Sequence, residues 1–107
     1  MSSIKPSLTV LDDKITQWHR DRKITINGNS LTQLAKLSEE MGELAGHLVR
    51  NKDIKDDLGD MYVVMVAIAN LNGLNMRQCI EVAYEDIKDR RGELNELGNF
   101  VKEEDLK

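Results

Sequence analysis

The sequence contains little cysteine, proline or aromatic residue, and it has no long apolar run. Its one cysteine, Cys79, has no second thiol with which to form an internal disulfide, and this fits a reducing compartment. The longest apolar run spans residues 61–69, far short of the roughly 20 residues that cross a bilayer. Residues 1–5 are polar and lack the apolar segment of a secretion signal. We therefore expect a cytoplasmic protein that has no membrane partner.

The chain also lacks an excess of basic residues. Its 15 lysines and arginines are outnumbered by 19 acidic residues, whereas nucleic-acid-binding modules usually present a basic face. We therefore expect no nucleic-acid partner. The 107 residues are 40% apolar and 32% charged, which is typical of one globular domain. A domain this short leaves much of its surface exposed, and oligomerisation is a common remedy.

Four segments carry apolar residues at three- and four-residue spacing, which predicts an all-α protein of four helices. The first apolar face consists of Ile4, Leu8, Leu11, Ile15 and Trp18. Residues 23–29 then break the helix, with Asn27 and Gly28 as the turn signal. The second helix is predicted to begin at Ser30, because Ser30 as N-cap and Gln33 three residues later match a capping box.

The third helix is predicted to be the centre of the core. Residues 51–53 would cap it, and it would run to about Leu71 and end at Asn72 and Gly73. Its second half, residues 61–69, is apolar on nearly every side, as is typical of a helix in the middle of a core. A strand is the competing interpretation, but the run continues the helical phase of the residues before it.

The fourth helix is predicted to begin after Asn75 and to end at Gly92. The remaining residues, 93–107, are mostly polar. We therefore divide the chain into a helical domain over residues 1–92 and a polar C-terminal tail over residues 93–107.

Two glycines inside the second helix, Gly42 and Gly46, need a reason. Each costs roughly 1 kcal/mol relative to alanine in a helix interior. A close approach by another backbone would offset that cost. In an acidic protein this indicates a second packed face, such as a subunit contact.

Two pairs of acidic residues lie three positions apart, Glu40 with Glu43 and Asp57 with Asp60, so each pair projects from one side of its helix. Spacing alone is weak, since about three such pairs are expected by chance in a chain this acidic. However, both pairs border the apolar faces of their helices, so packing would bring four carboxylates together at the edge of the core. Four close negative charges require a cation, and oxygen ligands favour Mg²⁺ or Mn²⁺.

A purely structural interpretation competes with the metal site. Lys36 with Glu40, and Glu43 with His47, are four apart and could form ordinary surface pairs. Asp53, Asp56 and Asp57 could simply favour the start of the third helix through the helix dipole. His19 and His47 are both expected at the surface.

Residues 37–45, Leu-Ser-Glu-Glu-Met-Gly-Glu-Leu-Ala, and residues 57–64, Asp-Leu-Gly-Asp-Met-Tyr-Val-Val, carry a family resemblance. They resemble the MazG-like branch of the all-α nucleoside triphosphate pyrophosphohydrolases, in which Glu-Glu-x-x-Glu is followed one to three dozen residues later by Glu-x-x-Asp. The likeness extends over about residues 10–92, with residues 15–22 similar to the family's opening helix and residues 83–92 to its closing helix. It implies a four-helix MazG-like bundle that is completed by oligomerisation, as a homodimer or homotetramer.

The resemblance also implies an activity and its residues. A nucleoside or deoxynucleoside triphosphate would be hydrolysed to the monophosphate and pyrophosphate, as in cleansing of the nucleotide pool. Mg²⁺, with Mn²⁺ as an alternative, would be held by Glu40, Glu43, Asp57 and Asp60. Glu39 matches the first glutamate of the motif and is our candidate for orienting or deprotonating the attacking water, which makes Glu39, Glu40 and Glu43 the predicted catalytic residues. Asp57 departs from the pattern, since it is one methylene shorter than glutamate, so it could bind through water or be assisted by Asp56.

Further residues are candidates for substrate binding. Lys88, Arg90 and Arg91 correspond to basic residues that lie near the phosphates in the family, although a basic last turn also favours the helix dipole. Trp18 could stack on a nucleobase, although its phase in the first helix also fits core packing. The alternative function is a catalytically silent helical module that binds a partner protein and has lost the metal through Asp57.

Overall fold

The computed structural model describes residues 4–106 and is mostly helical, as predicted. These residues form two compact units, the first ending at Arg77 and the second beginning at Gln78. The elements are helices α1 (Leu8–Asp21), α2 (Ile24–Asn27), α3 (Ser30–Val49), α4 (Lys55–Leu71) and α5 (Met76–Ile87), strands β1 (Gly92–Leu94) and β2 (Phe100–Lys102), and a 3₁₀ turn (Glu103–Asp105). No helix in the described part of the chain is long and apolar enough to cross a membrane.

Helix α4 is the centre of the first unit, because α1, α2 and α3 all pack against it, α3 most extensively. Its second half supplies the buried apolar residues Val64, Val66, Ala67 and Ala69. The prediction that this half lies in the core is confirmed. The predicted end is confirmed as well, since Asn72 is the C-cap and Gly73 has a positive φ of 71°.

The first helix and the segment after it differ in detail from the prediction. Helix α1 begins at Leu8 because the Ser7 side chain accepts a hydrogen bond from the backbone N–H of Val10. Lys23 adopts the left-handed conformation (φ 61°), which ends the helical run. The predicted break is therefore present, but it also contains the single helical turn α2, which the sequence pattern did not indicate.

The predicted capping box at Ser30 is wrong. Asn29 is the N-cap of α3, and its side-chain oxygen accepts from the backbone N–H of Thr32 at 2.8 Å. The Ser30 hydroxyl instead accepts a hydrogen bond from the Asn72 side chain at 3.0 Å. Both residues favour the cap position, and the contact with the end of α4 separates their roles.

One side of α3 stays exposed within the chain. Leu34, Met41 and Leu48 lie on one face and are each about half exposed. On another face, no atom other than the helix's own backbone lies within 4 Å of a Cβ built on Gly42, and the nearest atoms to one built on Gly46 are those of the Arg50 guanidinium. Among residues 4–106, therefore, no backbone approaches these two glycines, and the predicted subunit contact stays a prediction.

The second unit contains most of α5 and an antiparallel hairpin in which Gly92 pairs with Lys102. The prediction that Gly92 ends the last helix is wrong, because α5 ends at Ile87. A Cβ on Gly92 would lie 2.0 Å from the Val101 carbonyl oxygen, so this position needs glycine for the close pairing of the strands. Both strands therefore lie in the mostly polar stretch that begins at Gly92. The division at residue 92 stays a prediction.

The turn of the hairpin is specified by its own residues. The Asn95 side chain accepts hydrogen bonds from the backbone N–H groups of Leu97 and Asn99, each at 3.0 Å. Gly98 supplies a positive φ of 84°. Since none of the described residues from 78 to 106 is fully buried, this unit holds no core of its own.

Candidate functional site

Helix α3 brings a lysine and three glutamates to the edge of the first unit. Lys36 Nζ lies 3.6 Å from Glu39 Oε2 and 3.4 Å from Glu40 Oε1, which helical spacing of three and four residues allows. Glu39 and Glu43 are exposed, whereas Glu40 is buried, with 7% of its surface accessible. The Lys36–Glu40 surface pair of the structural interpretation is therefore present, but its acidic member is buried.

Helix α4 faces this row with its own acidic residues. Asp57 is buried, with 5% of its surface accessible, and Asp60 is half-buried. Oδ2 of Asp57 lies 2.7 Å from Nδ1 of His47, which belongs to α3. The sequence prediction assigned His47 to an ordinary surface pair with Glu43 and missed this contact between helices.

The four predicted metal ligands act on one another electrostatically. The negative charge of Glu40 raises the pKa of Glu43, and burial, a hydrogen bond to Glu40 and the charge of Asp57 add to the effect. Burial raises the pKa of Asp60, and the charges of Asp56, Glu40 and Asp57 raise it further. Lys36 opposes both shifts. The structure therefore brings Glu40, Glu43, Asp57 and Asp60 into one acidic group, which carries more negative charge than Lys36 can neutralise.

The donor atoms of the acidic group are of the kind that a hard divalent cation binds. The Oε2 atom of Glu40 is buried and has no hydrogen-bond partner, and a buried carboxylate oxygen without a partner is costly. All the donors are oxygens, which Mg²⁺ prefers. Their orientation is less favourable, because within residues 4–106 no three His, Cys, Asp or Glu side chains converge tightly enough to hold a metal ion. Binding would require the side chains to turn toward a common point, which the exposed Glu43 is free to do.

Trp18 lies beside the acidic group and is 45% exposed, so the core-packing alternative for this residue is wrong. It lines two open cavities, one of about 450 Å³ that Asp60 also lines and one of about 440 Å³ that Lys36 and Glu39 also line. The guanidinium carbon of Arg22 lies 4.1 Å from its ring centroid. An exposed ring next to acidic groups leaves one face of the site apolar.

The expectation that His19 lies at the surface is wrong. His19 is 2% exposed, it contacts Trp18 edge to face, and its Nδ1 atom is buried without a hydrogen-bond partner. Burial lowers its pKa, which favours the neutral ring. Its position one residue after Trp18 gave no signal, because the apolar pattern of α1 places it off the predicted face.

The basic residues predicted to contact phosphates belong to the second unit. Lys88 pairs with Glu85 at 2.9 Å and Arg90 with Asp86 at 3.0 Å. Arg91 lines a charged cavity of about 450 Å³ within the same unit. All three basic residues lie beyond the end of α5 at Ile87, whose last turn holds no basic residue, and the phosphate contacts stay a prediction.

Comparison with known proteins gives a match to a family whose model covers residues of both units. A family profile described as the MazG nucleotide pyrophosphohydrolase domain matches residues 29–95. The chain is also 40% identical over 70 residues to a protein of Haemophilus phage HP1 (strain HP1c1) named "uncharacterized 18.2 kDa protein in rep-hol intergenic region". The alignment covers 64% of this chain and 43% of the phage protein, so the chain spans less than half the length of that relative. Comparison with solved structures gives no match.

Proposed function

This chain belongs to the MazG nucleotide pyrophosphohydrolase family, and we propose that it hydrolyses a nucleoside or deoxynucleoside triphosphate to the monophosphate and pyrophosphate. One observation carries the proposal. Glu40, Glu43, Asp57 and Asp60 form one electrostatically coupled group at the contact of α3 and α4, and the buried Oε2 of Glu40 lacks a partner. A group of four close carboxylates, two of which are buried, is costly to the fold and is typical of a functional site.

We assign different roles to the residues of the site. Glu40, Glu43, Asp57 and Asp60 would hold Mg²⁺, or Mn²⁺, which when bound supplies charge neutralisation at the phosphate oxygens. Glu39 is exposed beside this group and lines the cavity next to Trp18, and it would orient or deprotonate water with the carboxylate that also pairs with Lys36.

Base and phosphate contacts complete the proposal. Trp18 would stack on the nucleobase, because its exposed ring lines both cavities beside the acids. Lys88, Arg90 and Arg91 would contact the phosphates, which requires Lys88 and Arg90 to leave Glu85 and Asp86. These contacts lie on exposed side chains that can rotate, so the pairs with these two acidic residues do not prevent them.

The test is release of pyrophosphate from a panel of nucleoside and deoxynucleoside triphosphates, with and without Mg²⁺. Glu43→Gln should abolish release while the helical circular-dichroism signal is unchanged, because it removes one ligand charge at an exposed position. Glu96→Gln makes the same charge change in the exposed hairpin turn and should keep full activity. Unchanged rates in Glu43→Gln would contradict the site.

One finding favours the alternative of a catalytically silent module that binds a partner protein. No three candidate side chains within residues 4–106 already converge on one point. On that alternative, no triphosphate would be hydrolysed and Mg²⁺ would leave the melting temperature unchanged. On our proposal, Mg²⁺ raises the melting temperature, because a ligand that binds only the folded state stabilises it.

We further propose that the chain works as a homodimer or homotetramer in the cytoplasm. The support is the exposed apolar row of Leu34, Met41 and Leu48 on one face of α3. Gly42 and Gly46 lie on another face of the same helix and leave it open to close approach. Light scattering should give a mass of two or four chains, and Met41→Asp should reduce it. A wild-type mass of one chain would contradict this part of the proposal.

A further inference from the structure

The contact between His47 and Asp57 links the two helices that carry the acidic group. It joins Nδ1 of a half-buried imidazole on α3 to Oδ2 of a buried carboxylate on α4, at 2.7 Å. An ionised carboxylate only accepts hydrogen bonds, so Nδ1 carries the proton and donates a hydrogen bond to Oδ2. The distance is at the short end of the range for a nitrogen donor, as expected when the acceptor is charged.

Asp57 needs orientation more than the two glutamates of the group do. Its side chain is one methylene shorter than those of Glu40 and Glu43 on α3, so it reaches less far from its helix. A short carboxylate can serve a shared cation only if its plane and its free oxygen are turned toward that cation. The bond from His47 to Oδ2 fixes the plane, and Oδ1 is then held in one direction.

We propose that His47 is a positioning residue, which holds the Asp57 carboxylate so that this short side chain can bind the divalent cation together with Glu40 and Glu43. The inference rests on the proposed function, since it requires a cation at the acidic group. Groups that orient a ligand in this way typically change metal affinity by 10- to 100-fold when they are removed. A bond that only ties α3 to α4 would change the stability of the fold and leave metal affinity unchanged.

The experiment measures Mg²⁺ and Mn²⁺ binding to the full chain by titration calorimetry, together with the melting temperature without metal. His47→Leu removes the donor and should weaken metal binding about tenfold or more. His47→Asn places an amide N–H close to the position of Nδ1 and should restore affinity to within a few-fold of wild type. If His47→Leu does not fold, His47→Gln replaces it, because its amide lies one bond farther out, and it should weaken binding likewise.

Asn70→Ala is the matched control. The Asn70 side chain donates to the Thr16 hydroxyl at 3.3 Å and so links α4 to α1 at the end of α4 away from the acids. Its removal should lower the melting temperature and leave metal affinity at the wild-type value. Wild-type affinity in His47→Leu, with a melting temperature lowered as in Asn70→Ala, would overturn the inference.

Asp57→Glu adds a second test. The longer side chain passes the imidazole and can reach the cation by itself, so His47→Leu should weaken binding less in the Asp57→Glu background than in the wild type. Equal losses in both backgrounds would overturn the inference. Its failure is distinguishable from failure of the proposed function: in the latter case the wild type itself binds neither Mg²⁺ nor Mn²⁺ and releases no pyrophosphate.

Discussion

The two halves of α4 belong to one continuous helix but differ in the kind of side chain that they bury. Its second half buries Val64, Val66 and Ala67, as expected of a core helix. Its first half buries the carboxylate of Asp57 and half-buries that of Asp60. Burial raises the pKa of Asp60, and the neighbouring negative charges raise that pKa further. The second half of the helix therefore stabilises the fold through apolar burial, whereas the carboxylates of the first half repel one another and destabilise it. Buried groups that destabilise a fold are typically found at functional sites, and we therefore place the functional site at the first half of α4.

The largest expected effect is loss of activity at the acidic half. Asp60→Asn removes a proposed ligand charge and should lower pyrophosphate release by about 100-fold or more, the range seen when an electrostatic contact to a transition state is removed. Without metal, the variant should be at least as stable as the wild type, because burial and neighbouring charges disfavour the ionised Asp60. Rate assays and urea denaturation check both parts. If the variant stayed active, or if it were clearly destabilised, the first half of α4 would not be the functional and destabilising half that we propose.

The next effect concerns stability at the apolar half. Val66→Ala removes two buried methyl-sized groups and should cost about 2 kcal/mol, which lowers the melting temperature by roughly 10 °C in a domain of this size. Mg²⁺ should still raise the melting temperature of the variant, because the acidic group is intact. Val82→Ala, at a position that is 72% exposed, is the matched control and should change the melting temperature little.

A smaller effect is expected from pH, through a titratable group outside α4. Burial lowers the pKa of His19, with the Ile15 carbonyl opposing weakly. The unfolded chain therefore binds the proton first as the pH falls through about 6.5, and stability is lost below that value. The cavity it lines also holds Lys36 and Glu39, whose charges partly oppose each other.

The measurement is the melting temperature at about pH 7.5 and about pH 5.5, for the wild type and for His19→Gln. We expect the wild type to lose more stability between the two values than the variant does, since the amide does not titrate. Equal losses would show that other groups dominate the acid response of the first unit.

The smallest effect is expected at Lys36, the cation that already lies in the acidic group. Its Nζ contacts Glu39 and Glu40, and it lowers the pKa of both Glu43 and Asp60. Lys36→Met should tighten Mg²⁺ binding by about two- to fivefold, the scale of one exposed charge pair. Calorimetry measures this, and Arg20→Met on α1 is the charge-matched control, because Arg20 lines a cavity with Asn70 at the end of α4 away from the acids. Weaker binding in Lys36→Met would show that the lysine helps to build the site instead of competing with the ion.

Several features could be predicted from the sequence because they depend on short-range periodicity. The apolar phase of residues 61–69 predicted a buried helix, and the spacing of three within each acidic pair predicted which carboxylates share a face. Other features could not be predicted. Asn29 and Ser30 are both good N-caps, and the hairpin begins at a glycine that equally well ends a helix.

The sequence by itself determined that the four longer helices form and which side of each helix the carboxylates occupy, because helical geometry repeats every few residues and needs no distant partner. The tertiary structure alone decided that Oδ2 of Asp57 meets His47 and that His19 is buried beside Trp18. These contacts depend on how far one helix is shifted and rotated against another. That is set by the packing of whole side-chain surfaces and not by any local pattern.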